Sequence, residues 1–170
     1  MHETAEQYIH RITANVQGAE PLDVQAATPH RLAQLIEGRP ASMLRTRPSA
    51  DAWSVGDILA HLADAEIVIG FRMRLILGAP GTPIAAYDQD SWVSSGHYDQ
   101  RDPRQSVELF RAVRKANLAV LSSLTPEQWQ HYGIHSERGQ ETIEQLVRMT
   151  AGHDINHVRQ IERLVSGEPN

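Results

Sequence analysis

Residues 79–102, Ala79-Pro80-Gly81-Thr82-Pro83-Ile84-Ala85-Ala86-Tyr87-Asp88-Gln89-Asp90-Ser91-Trp92-Val93-Ser94-Ser95-Gly96-His97-Tyr98-Asp99-Gln100-Arg101-Asp102, decide the architecture by their length. They separate two strong helix signals. On the amino-terminal side, Ser54-Val55-Gly56-Asp57 makes a variant capping box, and Ile58, Leu62, Ala65, Ile69, Met73 and Ile76 trace an apolar stripe. This predicts a helix over 55–77, stopped by Gly78 and Pro80. On the other side Asp102-Pro103 pairs an N-cap with a proline at N1, and Val107, Phe110, Val113, Leu118, Leu121 and Leu124 follow on one side. A 23-residue helix is roughly 35 Å long, whereas 24 extended residues span roughly 80 Å. The intervening segment can therefore run the length of a bundle and start the next helix parallel to the last. A structureless stretch of that length is uncommon in a compact domain, so it should carry a function.

Three further helices complete the expectation. Residues 3–17 place Tyr8, Ile9, Ile12 and Val16 at helical spacing before Gly18. Residues 21–37 form a second candidate, in which Pro29 either kinks the helix or restarts it behind Thr28. The last helix begins near Thr142 with Gln145 at N3 and runs to about Val165 before Gly167. Thr125-Pro126-Glu127-Gln128 signals a short helical turn, and no convincing pair of alternating strands is found. The fold class expected is all-α: a four-helix bundle with a long crossover rather than simple up-down hairpins, and an extra N-terminal helix, the whole of 1–170 forming one domain.

Composition narrows the partners. The 170 residues carry 16 basic and 21 acidic side chains, a formal charge of −5, with 5% aromatics, so nucleic acid is not the expected partner. There is no cysteine, which removes disulfides and thiolate ligands of the protein's own and fits a reducing compartment. No apolar run approaches the roughly 18 residues of a membrane span, and Met1-His2-Glu3-Thr4 lacks a secretory pattern. A cytoplasmic protein without membrane contact is expected.

The nine histidines sort by position. His153-Asp154-Ile155-Asn156-His157 sets two imidazoles at i and i+4, and the run Leu146, Thr150, His153, His157, Ile161, Leu164 puts both where a plain bundle would carry leucine. Buried imidazoles need partners for their nitrogens, and a metal ion satisfies two at once; hydrogen bonds to helix carbonyls or water are the structural alternative. His61, among Ile58, Leu62 and Ala65, is the third candidate. Three neutral imidazoles with an open fourth position form the ligand set of a catalytic zinc site, although imidazole also suits nickel, copper and iron. His2, His10, His30, His97 and His131 read as solvated. His135, in the loop Gly133-Ile134-His135-Ser136-Glu137-Arg138-Gly139, either reaches the site or is a turn residue.

Trp53-Ser54-Val55-Gly56-Asp57-Ile58-Leu59-Ala60-His61-Leu62-Ala63-Asp64-Ala65-Glu66 together with His153-Asp154-Ile155-Asn156-His157-Val158-Arg159-Gln160 resembles the DinB-like (damage-inducible) metalloprotein superfamily over about Pro21 to Leu164. The resemblance implies an up-down-down-up bundle, a zinc or nickel ion held by His61, His153 and His157, and a homodimer. It also implies chemistry with low-molecular-weight thiols as cosubstrates, because characterised members include thiol-dependent transferases and an isomerase. Family membership supports a site better than an activity.

The leading expectation is therefore transfer of a thiol cosubstrate to a small electrophile. Hydrolysis by water activated at the same ion is the second enzymatic reading, and a metal- or ligand-binding stress protein is the non-enzymatic one. Asp57, Asp64, Asp154 and Gln160 are the candidates for orienting the histidines. Trp92 and Tyr98 either line the pocket or anchor the crossover. Ile67, Val68 and Phe71 offer either an isologous interface or extra core against the first helix. Arg111-Ala112-Val113-Arg114-Lys115 is either an anion contact or, as the preferred reading, a solvated helix face.

Overall fold

A computed structural model describes residues 4–167, so His2 lies outside the described residues. Eight α-helices follow in chain order: α1 (Ala5–Ala14), α2 (Pro21–Ile36), α3 (Ala41–Arg45), α4 (Val55–Gly78), α5 (Gln89–Ser95), α6 (Pro103–Leu121), α7 (Pro126–Trp129) and α8 (Ile143–Ser166). Among the described residues no helix is long and apolar enough to cross a membrane. The expected starts hold because the caps form. Ser54 and Asp57 close a reciprocal capping box on α4, Thr142 and Gln145 do so on α8, and the Asp102 side chain accepts from two backbone N–H groups at the start of α6.

Helices α2, α4, α6 and α8 form the bundle. Gly56 lies against Pro103 at one end of α4 and α6, while Met73, Ile76 and Leu121 pack together at the other, so these two helices run parallel. Arg104 donates to the Arg39 carbonyl beyond the end of α2, whereas Gln25, near its start, meets Arg114, so α2 and α6 are antiparallel. His61 faces His153 and Met73 packs with Leu146, which makes α4 and α8 antiparallel. The order is up-down-down-up, which the crossover length permits. The N-terminal helix α1 lies across α8 where Gly152 touches the Ile12 carbonyl, a contact that leaves no room for a Cβ.

The crossover corrects one expectation. Residues 79–102 are not structureless: they contain β1 (Thr82–Ile84), α5 and a 3₁₀ turn at Tyr98–Gln100. Two further strands, β2 (Tyr132–His135) and β3 (Gly139–Thr142), were also not expected. β2 pairs parallel with β1, Ile84 opposite His135, and antiparallel with β3, His135 opposite Gly139. Strands of three or four residues are too short to show an alternation, and Pro83 and Gly133 argue against them in sequence. Gly133 is required by packing, since a Cβ there would lie 2.7 Å from Ile84 Cγ1. Gly139 takes φ +74° to close the hairpin.

The centre of the bundle is polar. One apolar cluster gathers Leu32, Ile58, Leu62, Phe110 and Ile161, and another gathers Met73, Ile76, Leu121, Leu146 and Val147. Between them Arg114, only 1% exposed, reaches all four bundle helices. It lies on α6 and donates to Asp154 of α8 at 2.6 and 3.1 Å, to Glu66 of α4 at 2.8 Å, and to the Gln25 carbonyl of α2 at 2.9 Å. That carbonyl is free because Pro29, four residues on, has no N–H to offer it; α2 continues through the proline, and the guanidinium fills the vacancy. Asn117 adds bonds to the Glu66 carboxylate and carbonyl, and its packing explains Gly70, where a Cβ would collide with the Asn117 amide. The Arg111–Lys115 stretch is thus only partly a solvated face: Arg111 is exposed and pairs with Glu108, whereas Arg114 is core.

Removing this guanidinium strands two buried carboxylates. An R114M variant is expected to lose about 3–5 kcal/mol of stability, read as a lowered urea midpoint. A midpoint within about 0.5 kcal/mol of wild type, the scale of ordinary surface substitutions, would contradict this account.

Candidate metal centre

His61 on α4 and His153 and His157 on α8 converge beside that polar layer. One ring nitrogen from each lies within 4.8 Å of the other two. His61 Nε2 and His153 Nε2 are 3.0 Å apart, a separation compatible with both bonding one ion at about 2.0–2.1 Å. The i, i+4 spacing on α8 brings the His153 and His157 ring centroids to 4.4 Å in an edge-on arrangement.

Protonation and orientation suit ligation. Burial, with a contribution from His157, pushes His61 down to about 3. Burial also lowers His153, helped by His157, His61 and Arg114. For His157 burial prevails over the Gln160 bond and the Asp154 charge, which act in the opposite sense. Each ring is therefore neutral at pH 7 and keeps a lone pair. Gln160 Oε1 lies 2.9 Å from His157 Nδ1 and can only accept there, which places the proton on Nδ1 and frees Nε2.

Of the four side chains considered for orienting the histidines, Gln160 alone bonds one of them. Asp57 is held by Arg47 and the α4 cap. Asp64 accepts from Tyr98 and Arg101, and so ties the crossover to α4. Asp154 turns to Arg114, which also binds Glu66. Three neutral imidazoles make a donor set suited to a cation. Trp53, which sequence reasoning did not single out as a site residue, covers the cluster: its ring lies 5.0 Å from His61 and stacks within 7° of the His157 plane. Its signals in the sequence were its place just before the N-cap of α4 and at the head of the stretch that carries the family resemblance.

A pocket of about 560 Å³ opens beside His153. Ala65 and Thr150, each one turn from a candidate ligand, leave the passage between them. The far wall holds Arg72, Tyr87, His135 and Arg138. His135 is thus neither a metal-cluster member nor an exposed turn residue. It sits buried in β2 and faces the same pocket. His10, His30 and His97 are exposed as expected, while His131 is half-buried. Neither Trp92 nor Tyr98 lines this pocket. Tyr98 is buried against α4, and Trp92 stacks at 4.4 Å on Tyr87, which does line it. Ile67 and Phe71 are 45% and 61% exposed, so they are not core against α1, which packs on α8 instead.

Comparison with known proteins agrees with this arrangement. The sequence profile of the DinB superfamily matches residues 26–161. YfiT of Bacillus subtilis, named "Putative metal-dependent hydrolase", is 26% identical over 144 residues, covering 84% of this chain and 81% of that protein. OB0782 of Oceanobacillus iheyensis, named in the same words, is 27% identical over 122 residues, covering 71% and 70%. The solved structure of YfiT, described as an unusual four-helix bundle topology, superposes with a TM-score of 0.81 at 24% identity, covering 98% of this chain and 91% of that one.

The depressed histidines make acid stability a test of the site. Their folded values lie below the unfolded value near 6.5, so below that pH the unfolded chain binds more protons and folding weakens. For His61 the loss runs from about pH 6.5 down towards 3, at about 1.4 kcal/mol per pH unit. Chelator-treated protein should therefore show a lower urea midpoint at pH 5.5 than at pH 7.5, and an unchanged midpoint would contradict burial of neutral imidazoles.

Proposed function

Because the chain belongs to the DinB superfamily and gathers His61, His153 and His157 beside an open pocket, we propose that it is a metal-dependent enzyme acting on a small molecule, with hydrolysis as its reaction. The observation that carries this reading is the convergence of three neutral imidazoles, one of which, His153, lines a pocket. His61, His153 and His157 would hold the ion; zinc and nickel both accept such a donor set. A divalent ion with a coordination position left open supplies Lewis acidity that makes water or a thiol a nucleophile near neutral pH.

The chain's own residues prepare that chemistry. Gln160 sets the His157 tautomer, so that its lone pair and not its proton faces the other two rings. The Trp53 ring walls the cluster off on one side and restricts water to the pocket side. The Arg114 to Asp154 bond holds α8 at the level of His153 and keeps both ligand side chains in register with His61.

Thiol transfer is the second reading. It is favoured by a pocket with room for a cosubstrate in a chain that has no cysteine, so that any nucleophilic sulfur must be brought in. Turnover of an ester or amide without added thiol would support hydrolysis, whereas turnover only with thiol would support transfer.

Elemental analysis of untagged protein should find about one equivalent of zinc or nickel per three-imidazole site and its loss in a folded H153A variant. Metal-free wild type that takes up no zinc on reconstitution would overturn the proposal. In Q160L the ion should remain but bind about 10–100-fold more weakly, measured by chelator competition; unchanged affinity would remove Gln160 from the site.

A further inference from the structure

The wall of the pocket opposite His153 is built for negative charge. Arg72, on α4, is 8% exposed and is cationic in the core without a carboxylate within ion-pair distance among the described residues. Its guanidinium donates to the Ala85 carbonyl at 2.6 Å and lies 5.5 Å from the centre of the Tyr87 ring, which leaves most of its five N–H groups to the pocket. His135 is 2% exposed. Its Nδ1 accepts from the Glu137 backbone N–H at 3.2 Å, so the neutral ring carries its proton on Nε2, and that buried nitrogen has no partner. Arg138 adds a second guanidinium, held at 3.1 Å by Glu141. The remaining acid at this wall, Glu137, is exposed and solvated. A buried guanidinium and an orphaned N–H donor around one cavity are costly unless an acceptor joins them.

The two ends of the pocket are far apart. His61, Ala65, Ile69 and Arg72 follow one side of α4, and His61 and Arg72 are separated by roughly 16 Å along the axis at 1.5 Å per residue. The rest of the lining mixes the apolar side chains of Ile69, Leu146 and Met149 with Tyr8, Gln89 and Thr150.

We propose that this wall is an oxyanion subsite, in which Arg72 and His135 receive the carboxylate of an elongated acid with an apolar body, whose reacting end lies against His153. The subsite deepens the metal-dependent reading, on which it rests only for the chemistry at the far end of the ligand. The same carboxylate could belong to the substrate or to a thiol cosubstrate.

Calorimetric titration of chelator-treated protein with hexanoate and 4-phenylbutyrate, each against its neutral primary amide, tests this without any turnover. Wild type should bind each acid at least about tenfold more tightly than its amide, the scale of a charge-assisted hydrogen bond. R72Q should lose that preference while still taking up zinc. H135L serves as the second variant if R72Q does not fold, and it should lose part of the preference. Equal binding of acid and amide by wild type, or a preference unchanged in folded R72Q or in H135L, would overturn the subsite. Displacement of 4-phenylbutyrate by glutathione would support it as the place of a thiol's carboxylate. Preference for the acids without such displacement would support it as the place of the substrate's own. An intact acid preference in wild type that takes up no zinc would sustain the subsite and sink the metal-dependent reading alone.

Discussion

A single guanidinium, that of Arg114, joins the four helices of the bundle at its middle, and the candidate site depends on that junction. It is raised above the ordinary arginine range even though burial acts to lower it, because the Asp154 and Glu66 carboxylates more than offset the desolvation. Such a cluster contributes little net stability compared with apolar packing of the same volume. What it contributes is register. Asp154 can meet Arg114 in one rotational setting of α8, and in that setting His153 and His157 face His61 rather than the apolar clusters above and below.

The arrangement also explains several residues that would otherwise look like defects. Pro29 interrupts the hydrogen-bond ladder of α2 at the carbonyl that Arg114 fills. Gly70 and Gly152 remove side chains where Asn117 and the Ile12 carbonyl come close. Each is unfavourable for its helix taken alone, by about 1 kcal/mol for glycine and about 3 kcal/mol for proline. Each becomes intelligible when the neighbour that occupies the vacated space is identified.

Much of this was legible in the sequence, for definite reasons. The bundle helices α4, α6 and α8 announce themselves through caps and 3.6-residue periodicity, and the crossover is long enough to let α4 and α6 run parallel. His153 and His157 stood out because they interrupt a leucine-like stripe, and His61 because it lies among Ile58, Leu62 and Ala65 of the apolar stripe on α4. Arg114 did not stand out, since a lone arginine among Arg111 and Lys115 carries no mark of burial; its partners are 40 and 48 residues away in the chain. The strands were hidden by their brevity, and with them the burial of His135. Arg72 was hidden because position 72 lies beside the apolar stripe, and only the crossover, folding back over α4, encloses it.

That last point separates two roles within one fold. The four long helices place the imidazoles, but they could equally have closed over them with a leucine layer. The crossover and the hairpin prevent this: β1 pairs with β2, Ser136 accepts the Ala86 N–H, and Tyr98 and Arg101 bind Asp64, so the segment stands off α4 along a defined line. The space beneath it is the pocket. Its chemistry is set by residues outside the helical repeat, His135 and Arg138 on the hairpin and Tyr87 on the crossover, together with Arg72 beneath them. Loops and short strands tolerate substitution more readily than a packed helix face. The three-imidazole cluster is thus carried by the bundle helices, whereas most of the far wall of the pocket is carried by the crossover and the hairpin, with Arg72 of α4 common to both parts of the chain.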